Sequence, residues 1–411
     1  MTHHAAHIRA FSDSADFDFE IRGALGASVG GAGEPGEILA AVAGIRHGEH
    51  NAWFDAWKGL ADRTTATASA SAKAEHHASA ASAYLRASAY YGVAVNAASA
   101  LAEPDAMAPT FAKQEAAWRG FVTHTSTVVE DVTIPCGGGT LPGWFFRADA
   151  AAHAPDHDGA AAPTLVAVNG SDGSRAALYA AAVVPALQRG YHVLVFDGPG
   201  QQSELFEKEV PFRPDWEHVL TPVFDTVARL DGVDAMRIAV YGISQGGYWV
   251  ARALAFEDRF AAAITDPGLV DVSTSWTGHL PHGLLKLLDE GHVEKFDREM
   301  ELGLKLSPET ARTWRFRARP YGTKGYGETI QEVRKYTVAD VAGEITTPLL
   351  ILSPENEQFW PGQAEQLAAL TPGVSTLVRF TEAEGADGHC QPLGRTITAQ
   401  RMFDWLDERV G

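Results

Sequence analysis

Residues 242–246 read Gly-Ile-Ser-Gln-Gly, and a serine in that frame is built for nucleophilic chemistry. The apolar run Ile238-Ala239-Val240-Tyr241 precedes it, and a helix-compatible segment from Tyr248 to Phe256 follows. A strand, a sharp turn and a helix in that order form a nucleophile elbow. Small residues beside the serine let the backbone strain and lift the hydroxyl clear of the sheet. Gly242 and Gly246 stand where such residues are needed, and Gly247 lets the helix pack close.

A serine nucleophile needs a base to take its proton and a carboxylate to orient that base. In the elbow arrangement the chain order is serine, acid, histidine, with both partners after late strands. His389 follows the strand-like run Thr376–Phe380 in a Gly-rich loop and is the only histidine after His292. The acid is sought after the run Pro348–Leu352, where Glu355 and Glu357 compete. Glu357 is preferred because it lies at the centre of the loop, whereas Glu355 directly follows Pro354. The oxyanion formed in acyl transfer needs two donors. The backbone N–H of Gln245 is the first, and that of Ser171, in the loop Asn169-Gly170-Ser171-Asp172-Gly173, is the second. Asp172 and Arg175 either brace this loop or form a surface ion pair. Asp197-Gly198-Pro199-Gly200-Gln201 lacks the lysine of a phosphate loop and reads as a tight turn.

These loops must be carried by alternating strands and helices. Apolar runs at Thr164–Val168, His192–Phe196, Ile238–Tyr241, Ala261–Thr265, Pro348–Leu352 and Thr376–Phe380 are separated by helical segments. The expected fold class is α/β, a mostly parallel sheet with helices on both faces. Val128–Pro135 and Leu141–Phe146 flank a Gly-rich turn and predict a hairpin at its start. Four segments are expected: a helical N-terminal cap domain at 1–124, the first part of the core at 125–267, a helical lid insertion at 268–342, and the rest of the core at 343–411. Within the cap, residues 1–35 are expected to be a partly ordered leader. The cap and lid are rich in Trp, Tyr and Phe, which predicts an aromatic-lined cavity over Ser244 suited to an uncharged substrate. His77, Tyr84, Tyr248 and Trp276 are the candidate substrate contacts, and Tyr90 and Tyr91 are further phenols of the cap.

The 411 residues carry a formal net charge of −19, which repels nucleic acid and anionic membrane. Hydrophobic residues make up 45%, enough for a sizeable core. Two cysteines, Cys136 and Cys390, suggest no disulfide framework and fit a reducing, cytoplasmic compartment. No secretory signal and no membrane-spanning run is expected. His76 and His77 lack partners at metal-ligand spacing, so neither metal nor cofactor is expected. The expected partner is a small molecule; the oligomeric state is open, a homodimer included.

The elbow, the Asn169-Gly170-Ser171 loop, the Glu357 loop and His389 together resemble the α/β-hydrolase superfamily over about residues 126–411. Asp197–Gln201, Gly385–Cys390 and the helix at Ala80–Tyr91 resemble a narrower subgroup with a helical N-terminal domain. It includes 2,6-dihydroxypseudooxynicotine hydrolase and fungal polyketide-shortening hydrolases. The resemblance implies hydrolysis of esters or lactones, or of carbon–carbon bonds next to ketones. Aspartate is the usual acid of the superfamily, so Glu357 is a departure. A non-catalytic binding protein on the same fold is the alternative.

Overall fold

The computed structural model describes residues 10–101, 104–149 and 161–410. Five helices come first: α1 (Ala15–Ala27), α2 (Pro35–Val42), α3 (His50–Lys73), α4 (His77–Ala100) and α5 (Met107–His124). Their helical spacing of large apolar residues builds a core of Phe17, Ile21, Trp53, Trp57, Leu60, Tyr90 and Tyr91. Phe17 stacks on Trp53 with ring centroids 4.1 Å apart. This corrects the expectation of a partly ordered leader. Residues 1–9 lie outside the described part, but α1 packs its Phe17 and Ile21 edge into the bundle and is an integral element.

The sheet follows. The hairpin β1 (Val129–Cys136) and β2 (Gly139–Phe146) leads into β3 (Ala162–Val168), then helix α6 (Arg175–Leu178), a π turn at Tyr179–Val183, and α7 (Val184–Gln188). Next come β4 (His192–Phe196), α8 (Gln202–Phe206), α9 (Glu217–Val227), β5 (Val233–Ile243), α10 (Gly246–Leu254) and β6 (Ala262–Asp266). The eight strands are ordered β1-β2-β4-β3-β5-β6, with β7 (Leu349–Pro354) and β8 (Ser375–Phe380) completing the far edge. Pairing is antiparallel from β1 to β2 and from β2 to β4, and parallel elsewhere.

The central strands are apolar throughout because both faces are covered. Successive residues serve opposite cores: Val166, Val168 and Val240 pack on the α9–α10 side, while Leu165, Ala167 and Tyr241 pack toward α5 and α17 (Arg395–Val410). Between β6 and β7 the chain leaves the sheet. It forms α11 (Thr274–Thr277), α12 (His282–Asp289), α13 (Val293–Leu306), α14 (Pro308–Ala318) and α15 (Tyr326–Val333). Helix α16 (Gln363–Leu370) then links β7 to β8.

Chain direction fixes where chemistry can occur. β3 leads to β4 on one side, while β5 lies on the other, so the strand order reverses between β3 and β5. The loops leaving the carboxyl ends of strands open a crevice at such a point. Val168 pairs with Gly242 across it, so the loop after β3 and the turn after β5 are neighbours.

Candidate active site

The turn after β5 holds Ser244 at φ 55°, in the left-handed region that non-glycine residues seldom enter. Its N–H donates to the Asp266 carbonyl at 2.6 Å, which helps to hold the conformation. A Cβ on Gly242 would lie 2.2 Å from the Gly246 carbonyl oxygen, so the turn closes only without one. Gly170 is constrained in the same way, since its Cβ would stand 2.8 Å from that of Ser244.

The structure brings Ser244, His389 and Glu357 together. Nε2 of His389 is 2.9 Å from the Ser244 hydroxyl, and Nδ1 is 2.8 Å and 3.0 Å from the two Glu357 carboxylate oxygens. That network assigns the proton to Nδ1 and leaves Nε2 to accept from the hydroxyl. Glu357 also accepts from the N–H groups of Phe359 and Trp360. Burial pushes its carboxyl up, but His389 and these backbone donors outweigh burial and hold it below the usual glutamate range. Glu355 turns away and accepts from the Glu382 N–H at 2.9 Å. The imidazole is 3% exposed. The rings of Phe359, Trp360 and Phe19 surround it, with centroids 4.8, 5.6 and 6.1 Å away.

Gln245 and Ser171 both line the space above Ser244. Among the described residues, neither backbone N–H has an intramolecular acceptor. Two donors left free beside a serine are what an oxyanion requires.

The loop after β3 is braced by residues that the sequence reading used otherwise. Asn169 curls onto its own loop, donating to the Gly173 carbonyl at 2.6 Å and accepting from the Gly170 N–H at 2.9 Å. Gln201 accepts from the Gly198 N–H and donates to the carbonyls of Asn169 and Gly170. The tight turn after β4 is therefore also a strut. Arg175 does not pair with Asp172, which corrects that expectation. Its guanidinium is 2% exposed, forks onto Asp197, reaches Glu115 of α5 and lies 4.1 Å from the Trp144 ring centre.

A cavity of about 690 Å³ lies over Ser244, lined by α1, α4, α14 and the sheet loops. Trp276, a candidate substrate contact, lines it. Three other candidate contacts do not. His77 pairs with His124 at 3.0 Å on the surface, and Tyr84 stacks on His124 and meets Ser69. Tyr248 is sealed in the core, with its hydroxyl donated to the Pro214 carbonyl. All three sit on helix faces turned from the crevice. Aromatic side chains contribute to its wall, among them Phe19, Phe212, Phe316 and Trp360, beside many small and polar residues. It also holds charged groups, among them Asp172 of the loop after β3 and Glu20, Arg317 and Arg319, which the sequence did not place at the site. Glu20 comes from the segment read as a leader, so no sequence signal placed it here.

An elbow serine over a mostly parallel sheet, with helices on both faces, defines a hydrolase of the α/β type. The chain belongs to the α/β-hydrolase family. It is 30% identical to Hydrolase LUC6 of Fusarium sp over 96% of each chain. It is 33% identical to Alpha/beta hydrolase xenA of Xenoacremonium sinensis, over 69% of this chain and 67% of that one. The crystal structure of 2,6-dihydroxy-pseudo-oxynicotine hydrolase shares the fold, with a TM-score of 0.73 over 94% of this chain and 95% of that one, at 20% identity. The prolyl oligopeptidase family matches residues 179–298, which include the elbow. Among the described residues, no helix is long and apolar enough to cross a membrane.

Proposed function

We propose that the protein is a serine hydrolase that transfers an acyl group from an aromatic or polyketide-like small molecule to water. The observation that carries this reading is the unbroken chain from the Ser244 hydroxyl through both nitrogens of His389 to Glu357. Ser244 attacks the substrate carbonyl while His389 takes its proton. Glu357 fixes the imidazole tautomer and stabilises the imidazolium. The N–H groups of Gln245 and Ser171 hold the oxyanion. Collapse leaves an acyl-enzyme, which water, activated by His389, then hydrolyses. The bond broken is that of an ester or lactone, or a carbon–carbon bond next to a ketone. The space over Ser244, with aromatic rings and a few charged groups in its wall, supports a small-molecule substrate that combines an apolar body with polar groups.

Labelling with a fluorophosphonate tests the reading. A covalent adduct on Ser244 in the wild type, absent from Ser244→Ala, is the expected result. A folded wild type that forms no adduct would instead be a non-catalytic binding module on this fold. Ser244→Ala is also expected to lose roughly 10⁴-fold or more in kcat.

A further inference from the structure

Breaking a carbon–carbon bond makes a demand that breaking an activated ester does not. The leaving group departs with an electron pair on carbon and needs a proton there. An acid must therefore face the leaving group. The phenols of the cap are committed elsewhere. The Tyr90 hydroxyl donates to Glu37 at 2.8 Å, that of Tyr91 donates to Asp62 at 2.6 Å, and Tyr84 lies outside the cavity.

Glu20 is placed differently. It follows Phe19, whose ring stands 6.1 Å from that of His389, and its accessible surface faces the cavity. Among the described residues its carboxyl receives one long hydrogen bond, 3.5 Å from the Asn96 side-chain amide. The same nitrogen of Asn96 lies 3.3 Å from the backbone carbonyl of Asp172, joining α1 and α4 to the loop after β3. Asp172 directly follows Ser171, and its carboxyl is close enough to interact electrostatically with Glu20 and His389. Among the described residues, no lysine or arginine forms an ion pair with either carboxyl. Arg317 acts on Asp172 only from farther off, and Asp16 adds negative charge near Glu20. Burial, and then the charge of Asp172, push the Glu20 carboxyl up to about 8. A second, independent feature marks the space as a ligand site. Gln245 is 4% exposed and lines the cavity, and among the described residues its side-chain Nε2 has no hydrogen-bond partner. A buried donor left open in this way fits an acceptor oxygen on the ligand.

We propose that Glu20 is the proton donor to a carbon leaving group, and that the enzyme hydrolyses carbon–carbon bonds next to a ketone. This rests on Ser244 being the nucleophile. The Ser244 oxygen bonds to the carbonyl carbon, and its proton passes to Nε2 of His389. The adduct collapses, the carbon–carbon bond breaks, and its electron pair takes the Glu20 proton. The imidazolium proton leaves to solvent, and the Glu20 carboxylate takes a proton from solvent to reset the site. Water, deprotonated by His389, cleaves the acyl-enzyme and releases a carboxylic acid. One water is consumed, and no oxidant or reductant is needed.

The test compares 1-phenyl-2,2-dimethylbutane-1,3-dione with p-nitrophenyl butyrate on the full-length protein. The dione has no acidic proton between its carbonyls, and p-nitrophenolate leaves without protonation. In Glu20→Gln the ratio of dione to ester kcat/KM is expected to fall by about 10²- to 10⁴-fold. Glu20→Asp should recover part of it. In the wild type, dione turnover should decline as the pH rises through about 8, with no matching decline for the ester. Glu20→Gln should lose that limb. An unchanged ratio overturns the proposal, as does a wild type that cleaves only the ester. If Glu20→Gln fails to fold, the wild-type profile decides, and a dione rate flat through pH 8 overturns it. Fluorophosphonate labelling separates the two readings. A labelled Ser244 with an unchanged ratio removes only the role of Glu20, whereas an unlabelled Ser244 removes the serine mechanism itself.

Discussion

The side-chain amide of Gln201 lies 2.8 Å from the backbone carbonyl of Asn169. The same nitrogen also reaches the Gly170 carbonyl at 3.1 Å, so this amide ties the turn after β4 to the loop that presents Ser171 beside Ser244. Gln201→Ala should let this loop drift while leaving both N–H donors in the chain. We expect kcat on p-nitrophenyl butyrate to fall about 10- to 100-fold, less than the roughly 10²- to 10³-fold cost of deleting an oxyanion donor. Steady-state kinetics with KM near the wild-type value is the expected pattern, and an unchanged kcat counts against the strut.

Glu357 and Glu355 make a paired prediction. Glu357→Gln keeps the shape but removes the charge that holds the imidazole tautomer, so kcat should fall by about 10⁴-fold. Glu355→Gln loses only a contact to the Glu382 N–H and should stay within about tenfold of wild type. A reversed order of the two kcat values would make Glu355 the acid.

Glu357 also links stability to pH. Its native pKa is held below the ordinary value of 4.5, so its ionised form stabilises the folded state. That contribution is present above the unfolded value and is lost as the pH falls through the lower native value. Urea denaturation of wild type between about pH 5 and pH 3 should therefore show a steeper loss than Glu357→Gln. Parallel curves for the two proteins would show that the carboxylate adds no such linkage.

Arg175 joins the core to α5 through Asp197 and Glu115 in a nearly dry site. Removing the cation leaves buried carboxylates uncompensated. Arg175→Ala should cost about 3–5 kcal/mol of unfolding free energy, read from the urea midpoint. Arg175→Lys should not restore it fully, because an ammonium cannot fork onto Asp197 and reach Glu115 together. Full rescue by lysine would show that charge alone matters there.

Much of this was legible in the chain itself. The elbow could be read because Gly242 and Gly246 answer a local steric demand, and His389 because the strand before it and the helix after it bracket its loop. The alternating apolar runs announced a sheet covered on both faces. What escaped reading depended on pairing across long separations. Nothing near Arg175 in sequence points to Glu115, while the adjacent Asp172 invites a wrong pairing. Tyr248 sits four residues past Ser244, yet helical rotation turns it into the core. In α1, Phe17, Phe19 and Ile21 alternate with acids, which hides a helix whose faces serve two tasks. Phe17 fills the bundle, while Phe19 leans on the imidazole.

That contact of Phe19 with His389 has a bearing on biosynthesis. The two partners lie far apart in sequence, on either side of most of the sheet. During synthesis, the helical bundle and most of the sheet can gather while the nucleophile still lacks its base. If Ser244 and His389 act as proposed, a chain made only as far as β7 holds the serine without the histidine.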